Sequence, residues 1–599
     1  MKTQSLFNKC FVTLVFLIGL IGTTSLNAQT TFTAGNLNYR INDDCVSVTV
    51  TGHIYGQNAT GELTIPSSVS YNGNNFDVTI IDEYAFEYCV GFTGDLVIPN
   101  SVTLIGGYAF IGCRGFNGNI ILSNSLTEIG VEAFSRCLGL VGDLIIPSSV
   151  ELLSTDSFSR CQFDGISVES DNNVYDSRDN CQAIIKTSTN ELVFGCKNTI
   201  ISNSVTSIGE YAFCHCNGLF SIDIPNSVTS IGAYAFGHCS ALSTVNLANS
   251  LLEIGEAAFA YCSALTMITI PNSVLIIGNS AFENSGLTGI VTIPDSVIHI
   301  GESAFSWTEG IDGFYVESGN SVYDSRDNCN AIIKTNKNEL VIGCKNTTIP
   351  NSVTSIGEYA FNGCSGLTSI NIPSSVMTIG YCAFKSCQNA VSLIIPDSVI
   401  SIGAYAFCMC YSLSGDLLIP NSVQEIGERA FDWCYRYDGT LIIGSGVVSI
   451  GDCAFNNCYG FTAAISLATV PPALDNSSWN YAFTNFGTTT LTVPCGCVSA
   501  YENSLWHNNF TTIIEDCSAA DELDENLASV YPNPTSSIVK IEAENIQIIS
   551  IYNISGKLMF ESAATGNEFE YDFGNAESGA YIVRIETAQG IATKRVTVK

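Results

Sequence analysis

Residues able to do chemistry are sparse, and their spacing says little for catalysis. The five histidines are His53, His215, His238, His299 and His507. His215 and His238 each follow a phenylalanine by two residues and lie 23 apart, so a repeating chain would stack them as neighbours. Two imidazoles can begin a zinc site, yet catalytic zinc needs more protein ligands than one pair supplies. The same slot holds Tyr261 and Asn284 in the next two repeats, which reads as a variable rim position. Serine and aspartate abound, but no G-x-S-x-G, HExxH or phosphate-loop pattern stands out. Paired carboxylates of the glycosidase type depend on spacing across turns, which a linear sequence does not display.

An oxygen-rich cluster, Glu169, Asp171, Asp176 and Asp179, has the ligand type that calcium takes. A second copy of the segment puts Gly319 where the first has Asp171, and Asp and Asn also serve ordinary turn hydrogen bonding. The expectation is therefore no cofactor and no metal, with calcium at these segments as the alternative.

Cysteine is the third reactive type, and it recurs at one slot. It follows a phenylalanine by three residues at Cys89, Cys113, Cys137, Cys161, Cys216, Cys239, Cys262, Cys364, Cys387, Cys410, Cys434 and Cys458, with Ser285 and Thr308 in the same place. A slot that takes Cys, Ser or Thr wants a small side chain that can sit in a row, and a buried free cysteine behaves as a small hydrophobe with a weak donor. Stacked turns lie about 4.8 Å apart, whereas a disulfide brings its Cβ atoms to about 3.8 Å. The row reads as packed thiols.

What positions these residues is a repeat. A pattern of valine, isoleucine-glycine, alanine-phenylalanine and cysteine, closed by L-x-x-I-x-I-P, recurs fourteen times between residues 60 and 460, in steps of 23 or 24 with three longer excursions. Such a period marks a stacked solenoid whose units bury their apolar slots jointly. The alternation of L-x-x-I-x-I suits a half-buried strand ended by proline. Ile-Gly and Ala-Phe then read as a tight corner and a short helical or 3-10 turn.

This motif resembles the leucine-rich repeat of BspA-like bacterial surface proteins. The resemblance implies a mainly β repeat solenoid, curved, with one short parallel strand on the concave side of each turn. On this reading residues 29–60 form an N-terminal cap and 61–462 the solenoid, with inserts near 166–201 and 314–349. Residues 463–517 form a degenerate closing repeat, in which one bridge among Cys495, Cys497 and Cys517 is open to any pairing. Both inserts read as hairpins. Pairing Lys186 with Glu191, and Lys334 with Glu339, sets Cys181 opposite Cys196 and Cys329 opposite Cys344 in the same register, so two cross-strand disulfides are expected.

The N-terminus carries Lys2 and Lys9, an apolar run from Phe11 to Ile21 and a cleavage-like Ala28, a secretory signal over 1–28. No other stretch is long and apolar enough to span a membrane. With 22 basic against 56 acidic residues and a net charge of -34, the chain lacks the basic face that nucleic acid requires. After a polar linker at 518–528, short alternating strands over 529–599 suggest a small β-sandwich. This tail resembles the C-terminal sorting domain of the type IX secretion system, on Tyr531, Pro532, Asn533 and Pro534, then Gly556 and Lys557, Gly579 and Tyr581, and Lys594. It implies handling by that machinery, export, and a cell-surface or extracellular location in a Gram-negative bacterium.

Function must then lie on the surface. Outward strand positions are mostly small and polar, except for Val97, Ile121 and Ile145 in one stretch and Ile394, Leu418 and Ile442 in another, with Asp95, Asp143 and Asp416 beside them. Exposed apolar patches mark contact sites, although aliphatic residues favour strands in any case. The resemblance to BspA-like proteins implies non-catalytic adhesion to an extracellular protein or cell-surface ligand. The alternatives are a glycan-binding module, for which outward aromatics are sparse, and a self-associating surface or matrix protein.

Overall fold

A computed structural model describes residues 30–475 without 155, residues 482–517, and residues 528–599 without 554–556, 575, 577, 588 and 589, nor the side chains of 590 and 591. The signal segment, Gly556 and all of the linker but Ala528 lie outside the described residues. The chain forms two compact units, Met1–Ile311 with Tyr315–Tyr323, and Asp312–Phe314 with Asp324–Lys599.

The first unit opens with the antiparallel strands Thr31–Ala34, Leu37–Ile41 and Ser47–His53. A parallel stack follows through Asn74–Ile81, Leu104–Ile105, Glu128–Ile129 and Leu152–Leu153. The first insert is a hairpin of Ala183–Lys186 and Glu191–Gly195, and its second strand starts a new parallel run through Ser207–Ile208, Ser230–Ile231, Glu253–Ile254, Ile276–Ile277 and His299–Ile300. These strands are the residue pairs just before the repeat's glycine. Segments before the proline slot pair separately, as in Leu96–Val97 with Ile120–Ile121 and Ser221–Asp223 with Thr244–Asn246. Many turns thus carry two parallel strands on different sides, where one was expected.

The Ile-Gly pair is therefore a strand end and not a free corner, and its glycine is required by crowding. A Cβ on Gly232 would come within 2.7 Å of the Glu210 nitrogen, and one on Gly255 within 2.6 Å of the Ile231 oxygen. The Ala-Phe segment is not a helix either. From Gly232 onward its N–H groups alternate: Ala235, Gly237 and Cys239 donate back to Gly232, Tyr234 and Phe236, while Tyr234, Phe236 and His238 donate to Glu256, Ala258 and Ala260 of the next turn. Tyr234 and His238 adopt left-handed backbone with φ of 52° and 60°, so a continuous 3-10 run is broken every fourth residue. Left-handed backbone costs a side-chain-bearing residue roughly 1–2 kcal/mol, offset here by bonds that tie each turn to its neighbour.

Phenylalanines form the spine. Phe213, Phe236, Phe259, Phe282 and Phe305 stack face to face at 4.9, 5.1, 5.6 and 5.2 Å. In the second unit Phe361, Phe384, Phe407, Phe431 and Phe455 do the same. That unit repeats the hairpin with Ile332–Lys334 and Glu339–Ile342, then stacks Ser355–Ile356 through Ala473–Leu474 in parallel. A five-stranded parallel sheet from Leu417–Ile419 to Thr512–Asp516 lies on the pre-proline side. The last turn is closed by Phe483, Trp506 and Phe510, with the Trp506 indole donating to the Pro472 carbonyl at 2.8 Å. Beyond 528, five antiparallel strands form one sheet around a core of Val539, Ile549, Val583 and Val596.

Candidate functional site

The thiol row has a geometric cause that its small size alone does not supply. Most cysteines of the row donate from Sγ to the phenylalanine carbonyl of the preceding turn: Cys113 to Phe86 at 3.0 Å, Cys137 to Phe110 at 3.1 Å, Cys239 to Phe213 at 3.0 Å and Cys434 to Phe407 at 3.1 Å, while Cys89 donates to the Gly56 carbonyl at 3.2 Å. Thr308 makes the same bond to Phe282 at 3.2 Å, whereas the shorter Ser285 hydroxyl is buried without a partner among the described residues. Burial pushes the Cys161 thiol up to about 12, so the row stays protonated and donates. We expect Cys137→Thr to stay near parental stability and Cys137→Ser to lose about 1–3 kcal/mol for its stranded hydroxyl. Equal urea midpoints for the two variants would contradict the assignment.

The insert disulfides do not form. Lys186 does face Glu191, but a bulge at Ile184/Ile185 shifts the pairing so that Ile184 faces Phe194 and Ala183 faces Gly195. A one-residue slip turns side chains to the opposite face. Cys181 and Cys196 are buried free thiols, and the latter donates to the Gln182 carbonyl at 3.5 Å. An equivalent bulge at Ile332/Ile333 leaves Cys329 and Cys344 free. The bridge that does form joins Cys495 to Cys517. Those two with Glu515 make a metal-ligand grouping among the described residues, but joined sulfurs are not thiolates, and Glu515 accepts from the Gly496 N–H at 2.7 Å.

The insert carboxylates are each engaged separately. Asp176 is gripped by Arg178 at 2.6 Å, Glu169 accepts from the Ser148 N–H at 2.8 Å, Asp179 accepts from the Ser202 hydroxyl at 2.5 Å, and Asp171 meets Ser170 at 3.4 Å. In the second unit the most buried carboxylate, Asp432, is likewise held by Arg429 at 3.1 Å and Asn456 at 2.8 Å.

The aliphatic residues of the outward slot divide. Val97, Ile121, Ile145 and Ile394 are 46%, 51%, 53% and 42% exposed, while Leu418 and Ile442 are half-buried. Val97 pairs with Ile121 in register, so those two side chains are adjacent. The aspartates beside the stripe have structural work. Asp95 accepts from the Asn119 N–H at 2.7 Å and Asp416 from the Thr440 N–H at 2.6 Å, each one repeat on. Asp143 lies against Gly165, where a Cβ would come within 2.5 Å of its carboxylate. Burial raises the Asp416 carboxyl above its ordinary range despite that N–H.

A row that sequence reading caught only in part follows each phenylalanine by two. In the first unit it runs Tyr88, Gly112, Arg136, Arg160, His215, His238, Tyr261. His215 stacks on His238 at 4.2 Å and His238 on Tyr261 at 4.4 Å. Burial first, then Arg160 and His238, push His215 down to about 3. The signal for the arginines was present: they occupy the slot of the two histidines in earlier repeats.

The sorting motif is built into the C-terminal sheet. Asn533 donates to the Arg595 carbonyl at 2.6 Å and accepts from the Thr597 N–H at 2.8 Å, pinning Tyr531–Pro534 to the last strand. Lys594 lies in that strand opposite Val583, Gly579 opens the preceding one, and Tyr581 is buried within it. Lys557 donates its N–H to Asn553 at 2.9 Å. No helix among the described residues is long and apolar enough to cross a membrane.

The BspA type leucine rich repeat region matches residues 79–182, 184–312, 340–462 and 440–556, and the secretion system C-terminal sorting domain matches 529–599. No curated protein matches the chain. Similar solved structures include a leucine rich cell surface protein from Faecalibacterium prausnitzii, 24% identical over 74% of this chain and 96% of that one, TM-score 0.40. A leucine-rich repeat protein from Bacteroides ovatus is 22% identical over 81% and 99%, TM-score 0.35. Another from Bacteroides capillosus is 32% identical over 23% and 99%, TM-score 0.20. Matched over more than half its length by that repeat and ending in the sorting domain, the chain belongs to the BspA-type leucine-rich repeat family of exported surface proteins.

Proposed function

We propose that the protein is a non-catalytic adhesin that holds an extracellular protein on the aliphatic stripe of its first unit. The observation that supports this most is the exposure of Val97, Ile121 and Ile145 in the same slot of three consecutive repeats. Partner contact would remove their apolar surface from water, at about 25 cal/mol per Å². The insert carboxylates and Asp432 are each held by the protein's own atoms, which fits a scaffold whose function is surface recognition.

The test is binding of the full chain to immobilised extracellular-matrix proteins, beside a variant carrying Val97→Ser, Ile121→Ser and Ile145→Ser. The expected result is saturable binding that the folded variant loses. Binding unchanged in the variant, or none to any panel member, would overturn the reading. A mass that rises with concentration for the parent alone would move the stripe to self-association.

A further inference from the structure

Between residues 41 and 177 the sequence holds three cations, Arg114, Arg136 and Arg160, and successive turns gather them. Gly112 donates its N–H to Ser135 at 2.8 Å and Arg136 to Ser159 at 3.0 Å, so the two arginines of the row sit on adjacent turns. Gly112 leaves a gap into which the Tyr88 ring folds: a Cβ there would lie 2.3 Å from that ring. The Tyr88 hydroxyl accepts a long hydrogen bond from Arg136 Nη1 at 3.5 Å, and Arg136 Nε is buried with no partner among the described residues.

None of the three meets a carboxylate within 4.0 Å among the described residues. The contrast within the unit is sharp, because its two other arginines, Arg40 and Arg178, grip Asp82 and Asp176 at 2.7 and 2.6 Å. The nearby Asp156 accepts instead from the Glu132 N–H at 3.3 Å. Crowding like charges costs free energy that a bound anion would recover, and the planar guanidinium fork suits an oxyanion.

The rest of the row constrains the ligand's class. Gln162 donates to the His215 carbonyl at 3.3 Å, which joins the arginine turns to the His215, His238 and Tyr261 stack. Those rings cover one another's faces and leave their N–H and O–H edges for hydrogen bonding. The backbone N–H groups of Tyr88, Gly112, Arg136, His215 and His238 all donate to the next turn. An extended peptide would therefore find these N–H groups already engaged, whereas a polyhydroxylated chain bearing an acid would meet donors and acceptors on side chains.

We propose that Arg136 and Arg160, flanked by Tyr88, His215 and His238, bind the acidic group of a saccharide, a uronate or a sulfated sugar, at a site separate from the aliphatic stripe. The full chain is titrated with an oligogalacturonate, a heparin oligosaccharide, neutral dextran and polyglutamate. One or both acidic saccharides bind saturably, dextran does not, and Arg136→Gln with Arg160→Gln weakens binding by about tenfold or more. Binding also falls as salt rises. An independent measurement on the parent follows histidine ring signals by NMR: those of His215 and His238 move with the saccharide while those of His53, His299 and His507 stay. Absence of saturable binding, equal binding by the variant, or unmoved His215 and His238 signals would overturn the proposal. Tighter binding of polyglutamate than of either saccharide would reassign the site to acidic proteins.

Discussion

Phe407→Ala lowers the unfolding free energy by about 3–5 kcal/mol. The side chain is fully buried between Phe384 and Phe431, with ring centroids 5.4 and 5.1 Å away, so truncation empties space on both sides at once. The backbone around it is locked by turn-to-turn bonds, such as Phe407 N–H to Ala430 at 2.7 Å, and cannot collapse to fill the gap. Because each turn is stabilised mainly by its neighbours, the expected signature is a broadened denaturation curve as the stack splits at the damaged turn. Phe407→Leu, which keeps most of the volume, costs less. A parental curve for Phe407→Ala would remove the phenylalanine row from its place as the spine.

Breaking the Cys495–Cys517 bridge is expected to cost about 3 kcal/mol, the loop-closure value for a separation of 22 residues. The loss falls on the closing turn, where Thr490–Pro494 pairs with Thr512–Asp516. Hydrogen exchange after Cys495→Ser with Cys517→Ser should quicken over 482–517 and leave Phe361 to Phe455 protected. Mass spectrometry of the unreduced parent should find these two cysteines linked and Cys181, Cys196, Cys329 and Cys344 free. Linkage of Cys181 to Cys196 would contradict the bulged register, and unchanged exchange in the variant would deny the bridge its role.

The period, the phenylalanine spine and the cysteine row were legible in the sequence because stacking forces one residue type into each slot. The second strand per turn was not. It is two residues long, as in Ser230–Ile231, too short for alternation to register, and its glycine reads as a corner unless the adjacent turn is seen to crowd it. The left-handed positions were hidden for a related reason, since a tyrosine such as Tyr234 does not announce positive φ. A bulge leaves no mark in a hairpin whose tip pairs as expected, and so Cys181 and Cys196 were misaligned. Among candidate site residues, the exposed stripe followed from alternation, but the bonds of Asp95 and Asp416 to the following repeat did not. Arg136 and Arg160 were missed because the histidine slot was read forward along the chain and not backward.

The hydrogen-bonded thiols set a condition on how the protein must mature. In the folded chain the described free cysteines are almost all buried, and burial disfavours the thiolate that oxidants attack. An unfolded chain has no such shelter, and a chain exported into an oxidising space presents all its sulfurs at once. Any cross-link between two members of the row would remove donors that the phenylalanine carbonyls need and fix a spacing the stack does not allow. Folding and oxidation are therefore in a race, which local contacts between consecutive turns, formed quickly for their short sequence separation, are suited to win.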